Sequence, residues 1–173
     1  MKKKINKELA QEILKRVKLD QAMRKRWRAG KFKATDKHID VKNTTWLKKL
    51  IEKHRWPTTS LVGKKASHGA WLLAQHADLD ARFQKRVLKL FEKIYKEDKA
   101  EIRLSDVAYL TDRVLIHEKK PQIFGTQFRK NAGETHFKPL PIKDIKNVDK
   151  RRKEYGLSSF KENMKSINKL HKK

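Results

Sequence analysis

Apolar residues in this chain recur three or four positions apart, over stretches too long for ordinary strands. That spacing commits most of the chain to amphipathic helices. Ile5, Leu9, Ile13 and Val17, with Leu14 beside them and Met23 and Trp27 beyond, predict a first helix from about 5 to 29, ended near Gly30. Trp46, Leu47, Leu50 and Ile51 predict a second. It must stop before Trp56-Pro57, because a proline biases the preceding residue away from helical backbone. Thr58-Thr59-Ser60 offers caps for a third helix, along which Val62, Ala66, Ala70 and Ala74 stand four apart. A stripe of such small side chains lets a neighbouring helix approach closely. Asp78 or Asp80 can cap a fourth, with Phe83, Val87, Leu90, Phe91 and Ile94 as its apolar face.

The pattern changes from about residue 105. Ser105 is expected to begin a short helical turn through Tyr109. Val114-Leu115-Ile116 and Gln122-Ile123-Phe124 flank Glu118-Lys119-Lys120-Pro121 and read as a β-hairpin, with Pro121 placing the second run at an edge. A loop containing Pro139 and Pro141 leads to a basic helix from about 144 to 155, stopped at Gly156, and then to a partly helical tail. The expected fold is mainly α, a compact single helical domain with a small β-hairpin over residues 1–157, followed by a basic C-terminal tail over 158–173.

Composition narrows the class further. The 173 residues carry a formal charge of +26, yet four Trp and seven Phe supply too much large apolar surface for a disordered chain. Residues 1–33 hold thirteen Lys or Arg against three acids, and residues 134–173 hold twelve against five. Such basic ends suit a polyanion, nucleic acid or a nucleotide. Lys outnumbers Arg by 34 to 12, so compositional bias alone is a competing explanation. The absence of Cys excludes disulfides, thiolate catalysis and Cys-ligated zinc. Met1-Lys2-Lys3-Lys4 resembles a signal-peptide start, but no apolar segment follows it and no stretch is long enough to span a bilayer. The expectation is a cytoplasmic protein without a membrane association, with signal-independent secretion left open, as is the oligomeric state.

Three polar clusters sit in apolar surroundings: Gln75-His76-Ala77-Asp78, Tyr109-Leu110-Thr111-Asp112-Arg113 and Gly125-Thr126-Gln127. A histidine at a helix end suits acid–base work, or alternatively satisfies the last carbonyls of its helix. Asp112 could orient that histidine and Arg113 clamp an anion; the structural alternative is a local ion pair. Gln75, Asp78, Gln84 and Gln127 offer the donors and acceptors that a base edge or amide requires. Trp27, between Arg26 and Arg28, is the best candidate for stacking or a cation–π contact. The histidines are scattered, with no His-x-x-x-His or His-Glu-x-x-His spacing, so neither a metal nor another cofactor is expected.

Trp56-Pro57-Thr58, Val62-Gly63, Gln75-His76-Ala77-Asp78, Phe83-Gln84, Tyr109-Leu110-Thr111-Asp112-Arg113 and Gly125-Thr126-Gln127 occur in this order, followed by Asp149-x-Arg151-Arg152-x-x-x-Gly156-Leu157. Together they resemble a bacterial domain family of unknown function, over roughly residues 9–157. Phe124 stands where that pattern expects Tyr. The resemblance implies a common site and no reaction. The functional expectation is a metal-independent enzyme, a nuclease or a nucleotide-directed hydrolase or transferase. In it His76 is the acid and base, Asp112 its orienter, Arg113 the anion clamp, and Gln75, Asp78, Gln84, Gln127, Arg26, Trp27 and Arg28 touch substrate. The alternatives are a non-enzymatic basic RNA- or DNA-binding protein, and a secreted effector or toxin that binds an acidic protein.

Overall fold

The computed structural model describes residues 5–170. The chain divides into two compact units, residues 1–103 and 104–173. It is mainly α, with one small antiparallel β-hairpin among the described residues. The signal-like Met1–Lys4 and the last residues, His171–Lys173, lie outside the described residues. No described helix is long and apolar enough to cross a membrane.

In the first unit α1 spans Lys7–Arg28, α2 Ile39–His54, α3 Thr59–Val62, α4 Lys64–Gln75 and α5 Ala81–Glu97. Asn6 caps α1 by accepting a bond from the Leu9 N–H at 3.0 Å, and Asp80, not Asp78, caps α5 through the Phe83 N–H at 2.9 Å. The third expected helix is broken at Gly63, whose φ of +82° is readily adopted only by glycine. Its small-residue stripe therefore lies mainly on α4, which touches α1, α2, α3 and α5. Ala66, Ala70 and Ala74 are all buried there. The closest approach is at Gly69, where an added Cβ would stand 3.0 Å from Val17 and 3.3 Å from Ile13 of α1. Trp56, almost fully buried, meets Phe91 edge-on at 4.7 Å.

The second unit corrects the expected hairpin. Residues Leu104–His117 form one helix, α6, so Val114-Leu115-Ile116 is helical and not a strand. Val107, Leu110 and Val114 are buried at helical spacing, and packing of that face outweighs the strand preference of the β-branched residues. Lys119, at φ +58°, ends the helix, with the Lys120 N–H reaching the Leu115 carbonyl at 2.9 Å. The hairpin lies further on. Strand β1 is Phe128–Arg129 and β2 is Lys138–Pro139, with Phe128 opposite Pro139 and Arg129 opposite Lys138. Helix α7 follows at Val148–Glu154, and the segment expected to be only partly helical forms α8, Phe160–Leu170.

Candidate acid–base site

Helix α1 places an aspartate on its buried face. Ile13, Asp20 and Met23 are its three buried residues, and Asp20 is completely buried. An ionised carboxylate in that position is costly unless it is paired and hydrogen-bonded. His76, the first residue past the end of α4, supplies the pair: its Nδ1 lies 2.9 Å from Asp20 Oδ1 and 3.1 Å from Oδ2. Gln21 donates to Oδ2 at 2.7 Å, and Arg24 Nε to Oδ1 at 3.3 Å. Arg24 Nε is also 3.0 Å from His76 Nδ1. One N–H cannot donate to another, so the anionic carboxylate fixes the assignment. Nδ1–H donates to Asp20, and Arg24 bonds to the carboxylate. Arg24 Nη2 then reaches Asp40 of α2 at 2.8 Å.

Burial acts to raise the Asp20 carboxyl, but the hydrogen bond from His76, the charges of His76 and Arg24, and the Gln21 bond together hold it below the ordinary carboxylate value. Asp40 goes the other way. Burial raises it, with Asp20 adding to the effect, and Arg24 and His76 only partly offset this. With Asp20 on Nδ1, Nε2 of His76 has no hydrogen-bond partner among the described residues, and the side chain keeps 16% of its surface exposed. This is the tautomer and orientation that a carboxylate imposes on a histidine working as a base. A cavity of about 200 Å³ is lined by Asp40, Thr44, Thr45, Lys48, Ala77 and Leu79, among others; it shares Asp40 with this cluster but is not lined by His76. Lys48 pairs with Asp80 at 2.5 Å, and Leu79 is 84% exposed at the rim.

The other expected residues of the first unit divide into groups. Gln84 is fully buried and donates to the Ala74 and Gln75 carbonyls at 3.3 and 3.1 Å and to Asp78 Oδ1 at 3.3 Å. It thus satisfies carbonyls at the end of α4. Gln75 is buried beside it, and both Gln75 and Asp78 have partners. Arg26 is held by two bonds to the buried Asp36, one of them 3.0 Å from Nε to Oδ2. Arg28 is exposed, and Trp27 is 65% exposed.

In the second unit Asp112 is spent on the backbone. Its Oδ1 accepts from Ile123 N at 2.7 Å and Phe124 N at 3.0 Å, and its Oδ2 from Thr126 N and Thr126 Oγ1, both at 2.9 Å. The carboxylate expected to orient His76 is therefore a loop anchor, and Asp20 is the one bonded to the histidine. Gln127 belongs to the same loop. Its N–H donates to Gln122 Oε1 at 2.8 Å, its Nε2 to Thr126 Oγ1 at 2.8 Å, and its carbonyl accepts from Gln122 Nε2 at 3.0 Å. Arg152, 1% exposed, bonds to the Phe124 and Ser158 carbonyls, each at 2.6 Å. Arg113 is half-buried on α6 and has partners.

Sequence reasoning missed Asp20, Arg24 and Asp40. For Asp20 a signal existed: an acid seven residues after Ile13 and three before Met23 sits on the apolar stripe of its helix. Arg24 follows one turn later. Asp40 carried no comparable mark. Among the described residues no group of three or more His, Cys, Asp or Glu side chains is arranged to hold a metal ion.

The chain belongs to a family of unknown function, DUF6624, whose model matches residues 7–171. No curated protein and no solved structure matches it.

Proposed function

We propose that this protein is an acid–base enzyme acting on nucleic acid or a nucleotide-bearing substrate, with His76 as the proton carrier and Asp20 as its positioning residue. The observation that carries this reading is the buried Asp20 carboxylate on Nδ1 of a partly exposed histidine whose Nε2 has no partner among the described residues. Burying an aspartate against an imidazole that is only partly exposed is a poor way to gain stability and a good way to orient a base. In the step proposed, Nε2 takes the proton of an attacking hydroxyl as the new O–P bond forms. The proton then goes to the leaving oxygen as the old P–O bond breaks, so a hydrolase or a transferase results according to the attacking group. No metal is required by this step. The charge of +26 raises the local concentration of an anionic substrate.

The test is incubation of the purified protein, with EDTA present, with labelled RNA, DNA and nucleotides. Turnover that is lost in His76→Gln and Asp20→Asn while the fold is retained supports the reading. No change in any substrate, with His76→Ala altering only stability, overturns it. Trp27, exposed on a basic helix, favours a second reading as a non-enzymatic polyanion binder. Under that reading affinity falls steeply with salt and is indifferent to His76.

A further inference from the structure

The Trp56-Pro57-Thr58 segment, which plays no part in the acid–base site, forms one wall of a larger cavity in the first unit. Its volume is about 610 Å³, within the range of small-molecule sites. We infer that this cavity binds a nucleoside monophosphate, or a small molecule of the same dipolar chemistry, at a site separate from His76.

The cavity wall combines cationic, apolar and acidic side chains. Trp56, Leu90 and Ile94 are its large apolar lining. Its cationic lining is His54 and Arg55, where α2 stops, and Lys93 on α5. The side chains of these three make no hydrogen bond or ion pair among the described residues. Its acidic lining includes Glu97, one turn beyond Lys93, and Asp98. Asp98 spends one oxygen on the Ala100 N–H at 2.9 Å and keeps further acceptor capacity. Such an arrangement suits a ligand with an anionic head, a flat body and a tail rich in hydroxyl or amino donors. Free Arg and Lys side chains hold phosphate, and carboxylates accept from ribose hydroxyls or a base amine.

The backbone of Arg55 is the second observation. Its φ of 61° and ψ of −154° fall in a region that glycine alone adopts readily. An arginine there works against the fold, and it lines this cavity. A residue strained in this way is worth retaining where its side chain is used.

The probes are AMP, adenosine and inorganic phosphate, titrated separately into ¹⁵N-labelled protein while the Trp56 indole and the backbone signals of Leu90 and Ile94 are followed. AMP is expected to shift these signals saturably, with affinity at least about tenfold tighter than adenosine or phosphate alone. Arg55→Gly should raise the melting temperature and weaken AMP at least about tenfold, while Arg55→Lys keeps most of the affinity. Lys93→Glu, at an exposed position, provides a loss of binding that does not depend on the backbone of Arg55. His76→Gln leaves AMP binding here unchanged, so failure of the acid–base reading is distinguishable. Equal response to phosphate and AMP would overturn the inference, as would AMP shifts that miss these residues or unchanged affinity in both Arg55→Gly and Lys93→Glu.

Discussion

Each unit of this chain buries one aspartate completely, and the two carboxylates are put to opposite uses. Asp112 accepts three backbone N–H groups and a hydroxyl from residues 123–126. Every one of those donors is fixed in place by the chain, so the carboxylate acts as a knot that holds a loop in one shape. Asp20 instead faces side chains alone: His76, Arg24 and Gln21. One of these can gain or lose a proton and retains a free nitrogen. Burial and hydrogen-bond counts alone do not separate the two. The partners do: a carboxylate saturated by backbone amides fixes the chain, whereas one bonded to an imidazole sets that ring's tautomer and orientation.

The largest expected effect is on activity. Asp20→Asn keeps an acceptor for Nδ1 but removes the charge that fixes the tautomer. Turnover in the nucleic-acid or nucleotide assay should fall about 10³–10⁴-fold with the fold retained, a loss far larger than the drop in melting temperature from the lost Asp20 charge accounts for. The same substitution in the other unit has the opposite character. Asp112→Asn turns an NH₂ group towards backbone N–H groups whichever way it is oriented. Asp112→Ala leaves those donors unpaired, and chemical denaturation should show a loss of about 3–5 kcal/mol. An Asp112→Asn protein as stable as the native one would break the contrast.

A smaller effect tests what brings α1 to α4 and so holds Asp20 against His76. Gly69→Val forces side-chain atoms into Val17 and Ile13 and should cost about 1–3 kcal/mol by thermal or urea unfolding. Activity should fall along with stability.

The smallest effect is on acid stability, and its sign separates the two carboxylates bound to Arg24. Asp20 is held below its usual value in the folded chain, so its contribution is present above the ordinary carboxylate range and is lost as pH falls through the folded value. Asp40 is raised, so the folded chain takes up its proton first on acidification and gains stability relative to the unfolded chain. Melting curves between about pH 3 and 6 should therefore show a shallower acid loss in Asp20→Asn and a steeper one in Asp40→Asn. Slopes in the reverse order would contradict the pairing described for Arg24.

How much of this was legible in the sequence depends on the range over which each feature is decided. The helices of the first unit were legible, because Ile13, Leu47, Ala70 and Phe91 repeat the spacing that buries one face. His76 also stood out in the sequence, as a polar residue after an apolar run at a helix end, and the structure pairs it with the buried Asp20. Residues 114–116 were misread because three β-branched or bulky residues in a row favour a strand locally, while the face shared by Val107, Leu110 and Val114 decides for helix. The partner of His76 was misassigned for a related reason. Asp112 has a conspicuous local setting, next to an arginine and in a shared pattern of residues, whereas Asp20 is fifty-six positions away from the histidine it holds.

By itself, then, the sequence determined a mainly helical chain, strongly basic, with a histidine at a helix end and acids in positions that must be paired. Those properties follow from periodicity, composition and the cost of burying charge, all of which act over a few residues. Only the tertiary structure decided which acid meets the histidine, since that choice depends on α1 crossing α4 closely enough at Gly69 for two distant polar groups to share a hydrogen bond. A carboxylate and an imidazole carry the same chemistry at any separation in the chain. What they can do together is settled by the ångströms between them.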